Sequence, residues 1–402
     1  MTDEESTALA RRFDHTSEEM MRSPWDMFST LRNRCPVAHS SQHGGFYIAT
    51  TYDAVMQIES NWKVFSSDQG VAIPPQPYRV PPVESDPPRH TEFRRLLNPL
   101  FTTKAVQDMR GRIQTEVHSL IDGFIVKGQA DIVTDLLHPL MSAVVLPILG
   151  VPTEDLQKVN DWVHHILFDR ADDPANVQRC GMELSLYLRE LARCKRDEPA
   201  DDTTMIGRLV NGKINDQPIS DDDIAGAMTV SLFGGLDTSS GVLAEAILFL
   251  SRHPEEKRKL RDGAYDWSTA VEEFVRISSP LVGLRRVLTE DAEVAGTQLR
   301  KGDSVFALFV SANRDEKQFP DADQCLLDRK PNRHVGFGSY IHICLGRNLA
   351  RVEIEIVLRI VLERLYDLVI PADFVPEYWA GEARGMKSLP ATFTPGRRCG
   401  GG

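Results

Sequence analysis

The sequence predicts a mainly α-helical domain with a small β-rich region, and three observations carry that prediction. Helical patterning runs through most of the 402 residues. Strand signals are confined to two stretches, Phe46–Thr50 and Ala292–Leu308, the second a hairpin with Gly296 and Gly302 at its turns. One helix of roughly thirty residues, about 45 Å at 1.5 Å per residue, is expected from Asp221 to His253. Ser220 suits its N-cap, Asp221, Asp222 and Asp223 suit its first turn, and Pro254 follows its end.

Composition narrows the class of protein. The chain is 42% apolar and 26% charged, which excludes a disordered or collagen-like polymer. Its net charge of −12 is opposite in sign to that of a typical nucleic-acid binder. No repeat or long linker divides it, so residues 1–402 are read as a single domain. The segment from Met1 to Met20 is polar and lacks the apolar core of a secretory signal. The most apolar stretch, Thr229–Leu250, carries Asp237, Glu245 and a Gly234-Gly235 pair, which suits a helix crossing a protein core rather than a membrane. None of the six cysteines forms a CxxC pair, in keeping with a cytoplasmic chain of free thiols.

Three segments depart from ordinary packing patterns. Between Asp68 and Pro88 there are seven prolines, a density that neither a helix nor an inner strand tolerates, so a lid or binding loop is expected. Within the long helix, Gly234-Gly235-Leu236-Asp237-Thr238 places two glycines, an acid and an alcohol together. Each glycine costs about 1 kcal/mol against alanine in a helix interior, and the polar pair is costly to bury. Either free space is needed beside the backbone or the helix kinks against a neighbour.

The third segment is His334–Arg351. A turn-prone stretch ends at Cys344, and Leu349, Val352, Ile356, Val357 and Ile360 then fall on one helical face. A cysteine at the mouth of a helix N-terminus is placed to be a thiolate. It could act as a nucleophile, with His342 as its base, or as a metal ligand. No Cys/His cluster suits zinc, and a lone thiolate suits an axial haem ligand.

These residues resemble the cytochrome P450 superfamily. Phe337-x-x-x-x-His342-x-Cys344-x-Gly346, followed by Leu349-Ala350-Arg351, is similar to its haem-binding loop. His90-x-x-x-Arg94 resembles the pair that reaches the haem propionates. Gly234-Gly235-Leu236-Asp237-Thr238 resembles the oxygen-activating segment of the central helix. Glu273-x-x-Arg276 resembles the core-locking pair, and Ala312-Asn-Arg-Asp315 with Phe319-Pro320-Asp321 resembles the meander before the cysteine. One departure stands out: Tyr340 occupies a position where the family usually has glycine, so strain or a remodelled loop is expected there.

The resemblance implies the P450 fold, a triangular prism with a long central helix across a haem b. It implies Cys344 as iron ligand, with Phe337 and Gly346 beside it, and His90, Arg94, Arg286 and His342 as propionate partners. Asp237 and Thr238 would deliver protons during oxygen activation. The implied reaction is insertion of one atom of dioxygen into a substrate C–H bond. Electrons would come from a 2Fe–2S ferredoxin and its reductase, docking near Arg94, Arg95, Arg347 and Arg351. A peroxide-driven peroxygenase and a non-catalytic haem sensor are the alternatives.

Within the superfamily, the Gly-Gly-Leu-Asp-Thr segment and the position of Tyr78 before Asp86-Pro87-Pro88 resemble the camphor hydroxylase-like subgroup. That resemblance implies a small hydrophobic substrate, a camphor- or cineole-like monoterpenoid or a norisoprenoid. Its pocket would be lined by Tyr78, Leu232, Phe233, Leu281, Val282, Gly283 and Met386. The proline-rich loop would turn the Tyr78 phenol inward to anchor the substrate.

Overall fold

The computed structural model of the chain describes residues 3–17, 19–20, 24–76, 78–168, 173–199 and 201–399. Pro77 of the proline-rich loop and the first two residues of the polar N-terminus lie outside the described residues.

Seven helices position the site. They are α1 (Tyr52–Ser60), α2 (Arg89–Leu97), α3 (Thr103–Phe124), α4 (Asp221–Leu236), α5 (Thr238–Arg252), α6 (Trp267–Ser278) and α7 (Arg347–Arg364). Five strands form the main sheet: β1 (Val37–Ser40), β2 (Phe46–Ala49), β3 (Phe65–Ser66), β4 (Leu284–Leu288) and β5 (Ser304–Ala307), in the order β1-β2-β5-β4-β3. The β2–β5 pairing is parallel and the other three are antiparallel. A hairpin of β6 (Tyr378–Ala380) and β7 (Arg384–Met386) follows near the C-terminus.

The expected 292–308 hairpin forms only in its first half. Residues 292–294 pair with residues 297–299 across Ala295 and Gly296, which both have positive φ, as a two-residue turn of the primed type requires. Gly302, at φ 90°, turns the chain away so that β5 joins the main sheet between β2 and β4.

The long helix also differs from expectation. Ser220 caps it by accepting from the backbone N–H of Asp223, but the helix breaks at Asp237, whose φ of −112° and ψ of −39° separate α4 from α5. Across the break, the Thr238 hydroxyl donates to the Gly234 carbonyl at 2.7 Å. The span 221–252 is long and apolar enough to cross a bilayer, yet 67% of its most apolar window is buried inside the fold.

The two glycines beside the break serve different purposes. A Cβ on Gly235 would lie 3.0 Å from Val145, so that glycine permits close helix packing. A Cβ on Gly234 would meet nothing within 4 Å, and the residue is exposed although its helix runs through the core. Both readings of the segment therefore apply, packing at one glycine and open space at the next.

Behind the site, α7 buries the predicted face: Leu349, Val352, Ile356, Val357 and Ile360 are all within the core. At roughly 1.5–3 kcal/mol for each large apolar side chain removed from water, this face is what holds α7 against α3, α5 and α6.

Candidate active site

The cysteine loop is held by side chains that arrive from three helices. The Cys344 N–H donates to the Phe337 carbonyl at 2.7 Å, which closes the loop. Arg94 on α2 donates to the Ile343 carbonyl at 2.8 Å, and Arg347 at the start of α7 donates to the Cys344 carbonyl at 3.0 Å. Arg351 stacks over the Phe337 ring at 4.6 Å and forms a two-pronged ion pair with Glu272 on α6. His334 completes that cluster at 2.9 Å from Glu272. Burial alone would raise the Glu272 carboxyl, but Arg351 and His334 outweigh it and hold the group down at about 2.

Three arginines of the expected docking face take part in these contacts. Arg94, Arg347 and Arg351 all brace the loop, and Arg351 already has a carboxylate partner. Arg95, one position along α2, is exposed.

Cys344 itself feels opposing influences. Burial pushes its thiol up, while the Gly346 N–H and the guanidinium groups of Arg94, Arg347 and Arg351 favour the thiolate. Gly346 is the N-cap residue of α7, and no side chain caps that helix end.

Two histidines lie beside the cysteine. The rings of His90 and His342 meet edge to face at 4.5 Å. Burial, with Arg94 adding to it, pushes His90 down to about 4. Burial, followed by Arg286, His90 and Arg94, pushes His342 down to about 2. In both rings these influences favour the neutral form. Ser67 Oγ lies 3.2 Å from His342 Nε2 and also donates to Asp86.

Arg286 has a carboxylate partner inside the fold. Its side chain is 2% exposed and lies 2.9 Å from Glu59, so its charge meets a protein carboxylate rather than open space.

The loop carrying Tyr78 crosses the central helix. A Cβ on Gly226 of α4 would lie 2.2 Å from the Arg79 carbonyl, so only glycine admits the loop there. Buried Glu84 fastens both ends of the loop, accepting from Val71 N–H at 2.9 Å and from Val80 N–H at 3.1 Å. This clasp leaves the tip outside the core, and Tyr78 is 52% exposed instead of turned inward.

The remaining expected pocket residues divide in two. Leu232 and Met386 are buried in the main core, with Phe233 partly buried against it. Leu281 is partly exposed. Val282, in contrast, packs into a separate cluster with Phe13, Phe28 and Phe306. A Cβ on Gly283 would lie 2.5 Å from the Ala307 carbonyl, so its glycine serves strand packing.

One further acid escaped the sequence reading. Glu353 on α7 is 2% exposed and accepts from the Ser239 hydroxyl at 3.1 Å, directly after Thr238. Its second oxygen has no hydrogen bond among the described residues, and burial pushes the group up to about 7 against the Ser239 bond. Its place amid apolar α7 positions was the available signal.

The donor set suits an iron porphyrin: one thiol near three guanidinium groups, two imidazoles and Arg94 for carboxylates, and open space beside Gly234 of the central helix. The cytochrome P450 family model matches residues 46–263 and 268–378 of the chain. The chain belongs to the cytochrome P450 family.

A steroid C26-monooxygenase of Mycolicibacterium smegmatis is 35% identical over 87% of this P450 and 88% of its own length. A methyl-branched lipid omega-hydroxylase of Mycobacterium tuberculosis is 31% identical, covering 91% and 90%. The crystal structure of CYP108D1 from Novosphingobium aromaticivorans matches with a TM-score of 0.84 at 27% identity, covering 97% of this chain and 98% of that one. This P450 is therefore a monooxygenase with a haem iron cofactor.

Proposed function

We propose that this P450 hydroxylates an unactivated C–H bond of a lipophilic substrate in the cytoplasm, with dioxygen and electrons from a 2Fe–2S ferredoxin and its reductase. Cys344 would supply the thiolate that holds the iron, and Arg94, Arg286, His342 and His90 would hold the haem carboxylates. The haem supplies oxygen activation and insertion of one oxygen atom, the other leaving as water.

The chain's own residues do the rest. Gly234 leaves room beside the central helix. The Thr238 hydroxyl, now donating to the Gly234 carbonyl, is placed to exchange that bond for a water at the helix break. Asp237, 5% exposed at the same break, is placed to link such a water to solvent. This acid–alcohol pair favours oxygen-driven turnover over a peroxide-driven cycle.

What supports the substrate class is the character of the expected lining together with the exposed position of Tyr78. Leu232, Phe233, Leu281 and Met386 are apolar, and the Tyr78 phenol stands half outside. Without a buried phenol, the site has less to hold a compact monoterpenoid ketone or ether. A steroid or methyl-branched lipid, the substrates named for the two relatives, is the reading we favour over camphor, cineole or a norisoprenoid. A screen for the low- to high-spin Soret shift should respond to a steroid or branched lipid at lower concentration than to camphor or cineole. The reverse order would restore the monoterpenoid reading. NADH-driven turnover with ferredoxin and reductase, exceeding turnover with hydrogen peroxide, tests the electron source.

A further inference from the structure

A buried carboxylate stands behind the haem-edge arginine. Glu59 is in the last turn of α1, where the helix dipole disfavours negative charge. Its side chain is 1% exposed, and burial disfavours the charge again. Arg286, 2% exposed at 2.9 Å, is the group that compensates. Arg286 in turn donates to the Arg285 carbonyl at 3.0 Å, so its guanidinium is fixed on two sides.

The setting gives this pair its consequence. Ser66 of β3 pairs with Val287, next to Arg286, and Ser67 lies 3.2 Å from His342 Nε2, so Arg286 sits on the strand beside the cysteine loop. Arg94 reaches the same loop at the Ile343 carbonyl, so two arginines flank it, and Glu59 offsets one of them. An apolar residue at position 59 would have left Arg286 with its full charge toward the haem carboxylates.

We infer that Glu59 is a positioning residue that orients Arg286 at the haem edge and, by sharing its charge, lowers the reduction potential of the iron. This rests on the haem assignment above. An added electron is less favourable where a nearby cation is neutralised by a buried anion, and low local polarisability keeps that influence unscreened.

The test is the midpoint potential of the substrate-free holoenzyme, measured by spectroelectrochemical titration. Glu59→Gln, which keeps shape and removes charge, should shift the potential upward. Glu59→Asp, which keeps the charge, should stay near the wild-type value. Should Glu59→Gln fail to take up haem, Glu59→Ser admits a water beside Arg286 and should show the same upward shift. An unchanged or lowered potential in a neutral variant that keeps its thiolate-type spectrum overturns the inference. So does an Asp variant shifted as far as the Gln variant. A purely structural role would alter haem retention and leave the potential in place. Absence of the thiolate-type spectrum in the wild type would instead overturn the Cys344 assignment.

Discussion

Arg276 meets Glu273 through two parallel hydrogen bonds of 2.8 Å, one turn apart on α6, with both side chains at 0% exposure. The same carboxylate also accepts from Arg329, Asn332 and the Leu326 N–H. Arg276 donates onward to the carbonyls of Asn313, Ala322 and Gln324. One pair thus ties α6 to the whole irregular stretch that leads into the cysteine loop.

Glu273→Gln should therefore be severe. It leaves two buried guanidinium groups without a counter-charge, a loss of the order of 3–5 kcal/mol when one partner of a buried pair is removed. Urea unfolding of the variant should show a midpoint lowered accordingly, with poor haem uptake on expression. A variant as stable as wild type would mean that the backbone carbonyls alone hold Arg276 and Arg329.

Replacing the proposed ligand tests the site most directly. Cys344→His should abolish the thiolate-type spectrum of the reduced carbonyl complex while leaving the far-UV circular dichroism intact. If that spectrum persisted, another of the five remaining cysteines would be the ligand.

At the helix break, the acid and the alcohol should separate in their effects. Asp237→Asn should slow product formation more than it weakens substrate binding. Thr238→Ala should keep NADH consumption but divert electrons to hydrogen peroxide, seen as a lower ratio of product to NADH. An unchanged ratio would remove Thr238 from proton handling.

The pattern of what the sequence revealed has a physical basis. Cys344, Glu273, Arg276 and the apolar face of α7 were legible because their spacing along one element fixes their chemistry. The break at Asp237 was legible only as one of two readings of the glycine pair, because apolar periodicity continues across it. Tyr78 was misplaced because its orientation depends on Glu84 clasping Val71 and Val80, a contact between loop ends that local pattern does not encode. Val282 and Leu281 are neighbours in sequence yet belong to different clusters, since alternate residues of an extended segment point to opposite faces. Glu59 and Arg286 lie on different elements, and nothing in either local sequence announces the partner.

Glu353 should give stability an unusual pH dependence. Its folded-state value of about 7 lies above the ordinary 4.5, so the folded protein binds the proton more tightly. Its contribution is fully favourable below 4.5 and declines as pH rises to about 7, with the change amounting to no more than ~3 kcal/mol. Glu353→Gln should flatten that decline, so that the variant gains on wild type between pH 5 and about pH 7.5. Parallel urea titrations across that range would show it. Equal pH slopes in the two proteins would mean that water reaches the free oxygen.

The last expectation concerns the residue where glycine is usual in the family. Tyr340 has a φ of 49°, in the left-handed region, and its ring is 52% exposed. That backbone shape costs a residue with a Cβ about 1–2 kcal/mol. The exposed ring recovers little of this through burial. Tyr340→Gly removes the steric cost, while the freer unfolded chain takes back about 0.5–1 kcal/mol. The variant should therefore be more stable by up to about 1 kcal/mol, read as a small rise in melting temperature of the holoenzyme. Cys344 N–H should keep its bond to Phe337, so the reduced carbonyl spectrum should not move. A fall in melting temperature would show that the ring packs against neighbouring Tyr52 strongly enough to outweigh its own backbone strain.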